Sequence, residues 1–350
     1  MKAQAQETTP EISVIICAYN AAPYLAKTLE SVFAQTYQSY EIIVVNDGST
    51  DETEQVVTRY SDRVRYIRQE NAGPGAARNT AIRCAVGRYL ALLDSDDQWL
   101  PHYLETMLGH LKVAPEIDVL YPNAILFGTS QWEGHLFQDE CPSSAPVTLE
   151  KFLARKCNVF ISAVFKRDIL ETVGLFDENL RGSEDFDLWL RMLQQGYRFD
   201  FLREPLARYR KRSDSLSSSS TRYFQNVLRA LCKALGAAHT TPEQSLLILQ
   251  TINRIEAEIG LVASKQKIRA RDFLGAIRDI TDVMANRPSL KLKLIAAGLI
   301  LCPELIAWVV TKREANGSIF AESAMPASQL LPPDSGQNPL PYLVTKPSSK

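Results

Sequence analysis

The sequence predicts an α/β protein with a doubly wound, mostly parallel sheet that carries helices on both faces. Four apolar segments alternate with helix-spaced segments in the first hundred residues, and polar or acidic residues follow several of the apolar segments directly. Short apolar runs of this kind are typical of strands covered on both faces. Their alternation with helices is typical of βαβ units. Helical periodicity dominates after residue 221, which predicts a C-terminal helical extension.

The length, net charge and cysteine content of the chain limit the class of protein to which it can belong. A length of 350 residues allows two domains, or one large domain with appendages. A formal net charge of −1 argues against a nucleic-acid partner, because binding to a phosphate backbone needs clustered excess Lys and Arg. Six scattered cysteines without a Cys-x-x-Cys pair predict reduced thiols. Residues 1–10 are polar and lack the apolar core of a secretory signal, which predicts a flexible N-terminus and a cytoplasmic protein.

The first two apolar segments frame one βαβ unit. Its predicted strand, helix and second strand are Ile12–Cys17, Tyr24–Ala34 and Glu41–Val45. Pro23 suits the first turn of the helix. Asp47 follows the second strand, at the edge of the sheet where open α/β folds bind ligands. Ser49 and Glu52 predict a capping box for the next helix.

A glycine-containing segment follows the third apolar segment, and a group of acidic residues follows the fourth. Val64–Ile67 is the third predicted strand, and the small residues of Asn71–Asn79 begin a helix that continues to Cys84. Arg78 stands where a dinucleotide fingerprint needs its third glycine, so that fold motif is excluded. The fourth strand begins at Tyr89 and runs directly into Asp94-Ser95-Asp96-Asp97. Carboxylates this close repel one another unless they share a divalent cation, which predicts a metal-diphosphate site.

The remainder of the first domain is less regular. Its predicted elements are a helix from Pro101 to about Val113, a strand at Ile117–Tyr121, a hairpin around Gly128–Phe137, a polar loop at Asp139–Pro146, a strand at Phe160–Phe165, a short helix at Asp168–Val173, and strands at Phe199–Leu202 and Leu206–Tyr209. Glu184 and Asp185 open a further helix, whose dipole keeps carboxylates in the first turn ionised. The basic segment Arg210–Leu216 is predicted to fold over a diphosphate.

The predicted domains are a flexible segment at 1–10, a catalytic domain at 11–221, a helical region at 222–313 and a disordered tail at 314–350. The apolar stretch Leu294–Val310 contains Pro303 and Glu304, and it falls short of the roughly 20 residues that a membrane-spanning helix needs. Basic residues flank it, which predicts peripheral contact of residues 291–313 with the inner face of the cytoplasmic membrane.

Five motifs occur in order along Ile12–Ser217. They are Ser13–Asn20, Val45–Ser49, Asn71–Asn79, Asp94–Asp97 and Ser183–Asp185. In this order they resemble the inverting glycosyltransferases of family 2, which have the GT-A nucleotide-diphospho-sugar fold. The resemblance implies transfer of a sugar from a nucleotide-diphosphate donor, most readily a UDP-sugar, to a glycan or lipid-linked acceptor in cell-surface polysaccharide synthesis. It assigns the donor to residues 11–98 and the acceptor to residues 99–221.

The resemblance also implies residue roles. The donor-binding residues are Ala18, Tyr19, Asn20, Asp47, Arg78, Asp94, Ser95 and Arg212. Within that set, Asp47 is assigned to the base and Asp94 to the ribose side. Asp96 is assigned to a Mn²⁺ or Mg²⁺ ion, and Asp185, with Glu184 beside it, to the catalytic base. Arg212 stands where family members often have a histidine near the metal, which predicts weaker metal dependence.

The chemistry agrees with these roles and leaves two alternatives. Sugar transfer needs charge neutralisation at the leaving diphosphate and a carboxylate that deprotonates the acceptor hydroxyl, and one displacement inverts the anomeric centre. A nucleotidyltransferase would need a Gly-rich basic loop after the first strand, which Ala18–Pro23 lacks. A catalytically inactive nucleotide-sugar-binding scaffold would not need the acids at Asp47, Asp94, Asp96 and Asp185.

Overall fold

The computed structural model describes residues 9–212, 220–286 and 288–315. Its strands are β1 Ile12–Ala18, β2 Tyr40–Asp47, β3 Arg65–Gln69, β4 Tyr89–Asp94, β5 Gln98–Trp99, β6 Val119–Phe127, β7 Val164–Lys166 and β8 Phe199–Arg210. In this part of the chain they form one sheet in the order β3-β2-β1-β4-β7-β6-β8-β5. Most of the predicted flexible N-terminus, the serine-rich end of the predicted basic segment, and nearly all of the predicted tail lie outside the described residues.

The sheet is mostly parallel, as predicted. β1 pairs in parallel with β2 and β4, and β2 with β3. β6 pairs in parallel with β8, while the short β7 runs antiparallel between β4 and β6. β5 is antiparallel to β8 at the far edge. The parallel arrangement brings the carboxyl ends of β1, β2 and β4 to one edge of the sheet, which is the edge that carries the predicted site.

Helices connect and cover these strands. In the first part of the chain they are α1 Ala22–Phe33, α2 Thr53–Thr58, α3 Pro74–Cys84, α4 Tyr103–Val113, α5 Phe137–Glu140, α6 Leu149–Leu153, α7 Ile169–Val173 and α8 Glu184–Gln194. The later ones are α9 Ser220–Leu235, α10 Pro242–Arg269, α11 Phe273–Asn286, α12 Leu290–Leu301 and α13 Pro303–Ala315. None of the helices in the described segments is long and apolar enough to cross a membrane.

The core explains why the strands are apolar without alternation. Consecutive residues Val14, Ile15 and Ile16 of β1 are at most 1% exposed. Because neighbouring side chains of a strand point to opposite faces, the sheet is covered on both of them. The same core continues into α9 and α10 through residues such as Val227 and Ile255. Side chains from both sides of residue 221 pack in this one core. The domain boundary near that residue therefore stays a prediction.

A second, smaller cluster holds the last helices together. It contains Ile268 from α10, Ala276 and Ile280 from α11, and Ala296 and Leu299 from α12. The C-terminal helices therefore have a small core of their own beyond the part of α10 that packs on the sheet domain. The helical character predicted for residues 222–313 is confirmed over the described residues of that range.

Two local predictions were wrong because other partners compete for the same groups. The predicted capping box at Ser49 does not form: α2 begins only at Thr53, and the Ser49 hydroxyl accepts a hydrogen bond from the Asn20 backbone instead. The predicted hairpin at residues 128–137 is reduced to one antiparallel bridge between Ile125 and Leu136, after which the chain enters α5.

Two predicted strand boundaries also differ from the structure. The strand expected from Phe160 forms only as β7, and the Ser162 hydroxyl before it accepts a hydrogen bond from the Trp99 indole N–H at 2.7 Å. The two strands expected after Phe199 are one continuous strand, β8, although its pairing with β6 is irregular on either side of Asn123. β8 stays continuous through this irregularity, and its length carries Arg210 to the acidic edge.

Candidate active site

A buried arginine joins two acids at the carboxyl edge of the sheet. The Nη2 atom of Arg78 on α3 donates to Oδ1 of Asp94 at 2.9 Å, and its Nη1 atom donates to Oε1 of Glu184 at 2.5 Å. Burial alone lowers the pKa of Arg78, but the Asp94 and Glu184 carboxylates outweigh it and raise that pKa above its ordinary value. A charge only 8% exposed is stable here because it is paired on two sides.

The two acids at the start of α8 differ in what they are free to do. Both oxygens of Glu184 are engaged, one by Arg78 and the other by the backbone N–H of Gly182 at 2.7 Å. Asp185 accepts a hydrogen bond from the Phe186 N–H through Oδ1 at 2.8 Å, while its Oδ2 accepts none from a described residue. Burial, and then the neighbouring Glu184 charge, raise the pKa of Asp185 to about 7. Asp185 is therefore the acid of this pair that can take up a proton near neutral pH.

The acidic loop after β4 is fixed through its backbone. The N–H of Asp97 donates to the carbonyl of Asp94 at 3.1 Å, which closes a tight turn. The Thr28 hydroxyl on α1 lies 2.9 Å from the Ser95 carbonyl oxygen and 2.8 Å from that of Asp97. These contacts occupy backbone atoms, so the loop geometry is set without using the Asp94 and Asp96 carboxylates.

Asp97 lies beneath this loop and is fully buried. Its Oδ1 accepts a hydrogen bond from the backbone N–H of Arg210 at 2.7 Å, and its Oδ2 has no hydrogen-bond partner within the described residues. Burial, followed by the charges of Asp96 and Asp94, raises the pKa of Asp97 well above its usual value. Asp97 thus favours its neutral form more than an ordinary aspartate does, and it links the acidic loop to the end of β8.

Asp96 has a side chain 25% exposed, and it meets a second arginine. Its Oδ2 lies 3.2 Å from Nη1 of Arg212, and its carbonyl oxygen accepts a hydrogen bond from Nε of Arg210 at 2.9 Å. Burial and the nearby Asp94 raise the pKa of Asp96, while Arg212 acts in the opposite direction. The structure therefore brings Arg212 and Asp96 together, as donor and metal residues of one site require.

Tyr24 is a site residue that the sequence analysis missed. The Arg210 and Arg212 guanidinium carbons lie 4.6 and 4.9 Å from the centre of its ring, and Arg210 also lies 4.2 Å from the Phe127 ring centre. Cations placed over an aromatic face are attracted to it. The first turn of the helix after β1 lies at the ligand-binding edge of the sheet. An aromatic residue at that position was the feature of the sequence that could have indicated a role for Tyr24 in the site.

The loop after β1 contains three of the predicted donor residues. Ala18 is buried, Tyr19 is 53% exposed, and Asn20 has a left-handed backbone with φ of 49°. The Asn20 N–H donates to the Ser49 hydroxyl at 3.0 Å, and the Asn20 side-chain oxygen accepts from the Thr50 N–H at 2.9 Å. The loops after β1 and β2 are therefore tied together, and Tyr19 is left facing solvent beside them.

Asp47 has both carboxylate oxygens engaged within the protein. Oδ1 accepts from the Gln69 side chain at 2.7 Å and from the Ala72 N–H at 2.9 Å, and Oδ2 accepts from the Gly73 N–H at 2.8 Å. Asp47 is 3% exposed. It holds the loop that leads into α3 and so helps to position Arg78. Its assigned contact with the nucleoside base stays a prediction.

The fit of a metal ion depends on Asp96. Within residues 9–212, 220–286 and 288–315, no group of three or more His, Cys, Asp or Glu side chains is arranged to hold a metal ion. Mg²⁺ is commonly bound by only one or two carboxylates together with substrate phosphates and water. The pKa of Asp96 is raised by burial and by the nearby charge of Asp94, although Arg212 acts in the opposite direction, and a bound cation would act in the same direction as Arg212. The residues therefore fit a metal that arrives with a diphosphate.

Comparison with known proteins places the chain in a family. Residues 13–174 match the family model described as glycosyl transferase family 2. A Bacillus subtilis glycosyltransferase, TuaG, whose name refers to teichuronic acid biosynthesis, is 32% identical over 218 residues, which cover 60% of this chain and 82% of TuaG. The chain belongs to glycosyltransferase family 2.

Other similar proteins come from an archaeon and from a different bacterium. An uncharacterised glycosyltransferase of Methanocaldococcus jannaschii is 31% identical over 209 residues, which cover 57% of this chain and 71% of that protein. One from Rickettsia prowazekii is 33% identical over 193 residues, which cover 53% of this chain and 59% of that relative. The chain thus spans less than two thirds of the length of some curated relatives, and the similarity lies in the glycosyltransferase domain.

Solved structures confirm the GT-A fold at low sequence identity. Staphylococcus aureus TarS, residues 1–349, has a TM-score of 0.60 and 20% identity, covering 88% of this chain and 92% of that one. TarS has also been solved with UDP-GlcNAc. The mannosyltransferase PcManGT of Pyrobaculum calidifontis, solved with GDP-Man and Mn²⁺, has a TM-score of 0.56 and 20% identity, covering 88% and 87% of the two chains. Both likenesses describe the fold and extend into the C-terminal helices.

Proposed function

We propose that this family 2 protein transfers a sugar, with inversion, from a nucleotide-diphosphate donor to a glycan or lipid-linked acceptor in cell-surface polysaccharide synthesis. The observation that carries the proposal is Asp185, a carboxyl with a pKa of about 7 and an oxygen that no described residue occupies. The name of TuaG supports a polysaccharide product, and the UDP-GlcNAc complex of TarS supports a UDP-sugar donor.

Asp185 acts as the general base in this proposal. It takes the proton of the acceptor hydroxyl as that oxygen attacks the anomeric carbon from the face opposite the diphosphate, so a single displacement inverts the configuration. Glu184 is a positioning residue, because its two oxygens are held by Arg78 and Gly182. A pKa close to the working pH lets Asp185 accept the proton and release it to water in each cycle.

The donor lies along the loops after β1, β2 and β4. The Ala18–Asn20 loop and the loop held by Asp47 form the nucleoside side, and Asp94, fixed by Arg78, lies toward the ribose. Ser95 lies in the turn that presents these groups, and its carbonyl oxygen accepts a hydrogen bond from the Thr28 hydroxyl. Arg212 pairs with the diphosphate, since guanidinium groups match phosphate oxygens in charge and geometry.

A divalent metal ion, Mn²⁺ or Mg²⁺, is proposed at Asp96. Asp96 would supply one carboxylate ligand and the donor diphosphate the others. When bound, the ion neutralises charge that develops on the leaving diphosphate. Arg212 already contributes positive charge at this carboxylate, so we propose that the metal raises the rate only modestly. The Mn²⁺ complex of PcManGT supports the choice of ion.

The test combines a donor screen with a base variant. Purified protein is incubated with UDP- and GDP-sugars and Mn²⁺, and released nucleotide diphosphate and thermal stabilisation are measured. We expect Asp185→Asn to lower turnover about 10²- to 10⁴-fold while donor-induced stabilisation persists. The control is Asp168→Asn, an exposed acid at the start of another helix, α7.

The outcomes separate the proposal from its alternatives. Donor binding without release of sugar from any donor would favour the inactive scaffold. Formation of a nucleotide sugar from a nucleoside triphosphate and a sugar phosphate would favour a nucleotidyltransferase, although the loop at Ala18–Pro23 has no Gly-rich basic sequence. Unchanged turnover in Asp185→Asn would remove Asp185 as the base. We further propose that the reaction takes place in the cytoplasm, at the inner face of the membrane.

A further inference from the structure

Helix α12 is apolar on two sides. Its inward side chains, Ala296 and Leu299, are buried in the second core cluster. Leu290, Leu294 and Leu301 are 74%, 65% and 79% exposed, and their spacing of four and seven residues places them on one outward face. Ile300, about a quarter turn further around the helix, is 67% exposed. The helix therefore uses one apolar side for folding and presents the other to its surroundings.

Helix α13, the next helix in the chain, also exposes apolar side chains. Leu305 and Trp308 are each 57% exposed and lie three residues apart, on neighbouring positions of the helix surface. Soluble monomers rarely expose large contiguous apolar patches, and such patches mark interaction sites. Tryptophan in particular is enriched where proteins meet the membrane–water interface. We refer to Leu290, Leu294, Ile300, Leu301, Leu305 and Trp308 as the apolar face.

Positive charge accompanies the apolar face. Residues 265–313 contain ten Lys and Arg residues against four Asp and Glu residues, whereas the whole chain contains 39 against 40. Burial, and then the charges of Lys291 and Arg269, lower the pKa of Lys265, so these three cations of α10 and α12 are crowded together. Lys293 is also exposed on α12. An anionic partner would relieve this repulsion, and an apolar one would cover the leucines.

We propose that the apolar face binds the surface of an anionic lipid bilayer, with its leucines and Trp308 in the interfacial region and the neighbouring lysines at the headgroups. A helix that lies in the interface combines an apolar face with basic flanks in this way. The inference goes beyond the proposed sugar transfer, because lipid binding is measured without a donor. Its consequence for that reaction is that a lipid-linked acceptor and the enzyme meet in one plane.

The charges disfavour other occupants of the face. A second copy of the chain would bring its own basic cluster against that of the first, which repels at short range. Residues 316–350 contain two acidic and two basic residues, so the chain's own C-terminal segment offers no net negative charge. An anionic bilayer supplies both the negative charge and an extended apolar phase.

Vesicle sedimentation of the full chain tests the proposal. We expect the protein to sediment with vesicles of phosphatidylcholine mixed with phosphatidylglycerol, less with phosphatidylcholine alone, and less at high salt. The triple variant Leu294→Ser, Ile300→Ser, Leu301→Ser should bind at least about tenfold more weakly, since each side chain loses apolar transfer energy. The control is Leu246→Ser with Leu249→Ser, exposed leucines at the start of α10.

A second variant, which changes charge, keeps the proposal testable if the triple serine variant misfolds. Lys291→Glu with Lys293→Glu leaves the apolar face intact and should weaken binding to anionic vesicles only. Wild-type binding by either variant would overturn the proposal. Equal binding to both vesicle types would also overturn it. The proposal would likewise fail if the wild type did not bind vesicles and instead formed a dimer that the triple variant converts to a monomer. Donor hydrolysis by these variants is expected to be unchanged, so failure of this inference is distinguishable from failure of the proposed function.

Discussion

Three acids at the same edge of the sheet pair with two arginines, which neutralise them in different ways. Asp94 and Glu184 share Arg78, an arginine 8% exposed in the middle of a helix. Asp96 meets Arg212, which is 27% exposed and lies just beyond the end of β8. We refer to the first set as the buried bridge and to the second as the open pair.

This difference separates a part of the site whose geometry is fixed from a part whose contacts can change. In the buried bridge, three side chains come from a strand and two helices, so the position of the neighbouring Asp185 is set before any substrate arrives. Such preorganisation is the main source of electrostatic catalysis. In the open pair, a partly exposed ion pair contributes little to stability and can be exchanged for ligand contacts. The proposed base therefore lies beside a rigid part of the site, and the proposed contacts to the leaving group lie in a part that can rearrange.

Removing Arg78 should have the largest effect. Arg78→Met leaves the Asp94 and Glu184 carboxylates without their cation, and breaking a buried pair in this way costs about 3–5 kcal/mol. Urea unfolding should show this loss, and turnover should fall with it. The control is Arg83→Met on the same helix, where Arg83 is 59% exposed and 3.7 Å from Glu178. Similar unfolding midpoints for the two variants would mean that the bridge is not rigidly buried.

The open pair should respond in activity rather than stability. Asp96→Asn removes the proposed metal ligand and should lower turnover with Mn²⁺ several-fold, because Arg212 still supplies positive charge at the diphosphate. Its melting temperature should stay equal or rise, because burial and Asp94 already disfavour the Asp96 charge. Titration with Mn²⁺ and with a chelator measures the metal response. A variant that is still activated by Mn²⁺ like the wild type would show that the ion lies elsewhere.

The buried bridge also predicts a pH dependence. The pKa of Asp185 is raised to about 7, so below pH 7 the carboxyl is protonated and turnover should fall about tenfold per pH unit. The pKa of Asp185 is raised from its ordinary value of 3.8, so the stability that its neutral form contributes is fully present only below about pH 3.8 and is lost as pH rises to about 7. Asp185→Asn mimics the neutral form, so its melting temperature should exceed that of the wild type at pH 8, by less at pH 5, and should match it only below about pH 3.8. A flat rate profile between pH 5 and 8 would contradict the assignment.

The smallest effect is expected at Tyr24. Tyr24→Leu removes the ring beside Arg210 and Arg212, and an exposed cation–π contact contributes about 0.5–1 kcal/mol. The KM for the donor should rise a few-fold, while turnover at saturation stays near that of the wild type. Tyr24→Phe keeps the ring and serves as the control. If both variants raise KM equally, the hydroxyl rather than the ring carries the effect.

The sequence predicted the buried parts of the fold best. The strands β1, β2 and β4 begin and end within two residues of their predicted limits, because uninterrupted apolar runs bounded by polar residues have few other solutions. The family motifs also selected acids and an arginine that do lie along one edge. Their pairing was not predictable, since Arg78 and Glu184 are 106 residues apart and spacing carries no information about such contacts.

The failures share a cause. Ser49 and the residues around Gly128 had correct local signals for a capping box and a hairpin, but hydrogen-bond partners from neighbouring loops and strands took their place. Tyr24 was missed because an aromatic residue in a helix is more often part of a core. Its role depends on two arginines brought to it by the far end of β8. Tertiary contacts decide these cases, and local propensity does not.

The shared arginine also sets an order of events during synthesis of the chain. Asp94 follows Arg78 by 16 residues and Glu184 follows it by 106, so a ribosome releases the first partner long before the second. Until α8 docks, the guanidinium lacks half of its neutralising charge and cannot be buried at low cost. The proposed donor side and the proposed base are therefore completed together, when Glu184 reaches Arg78.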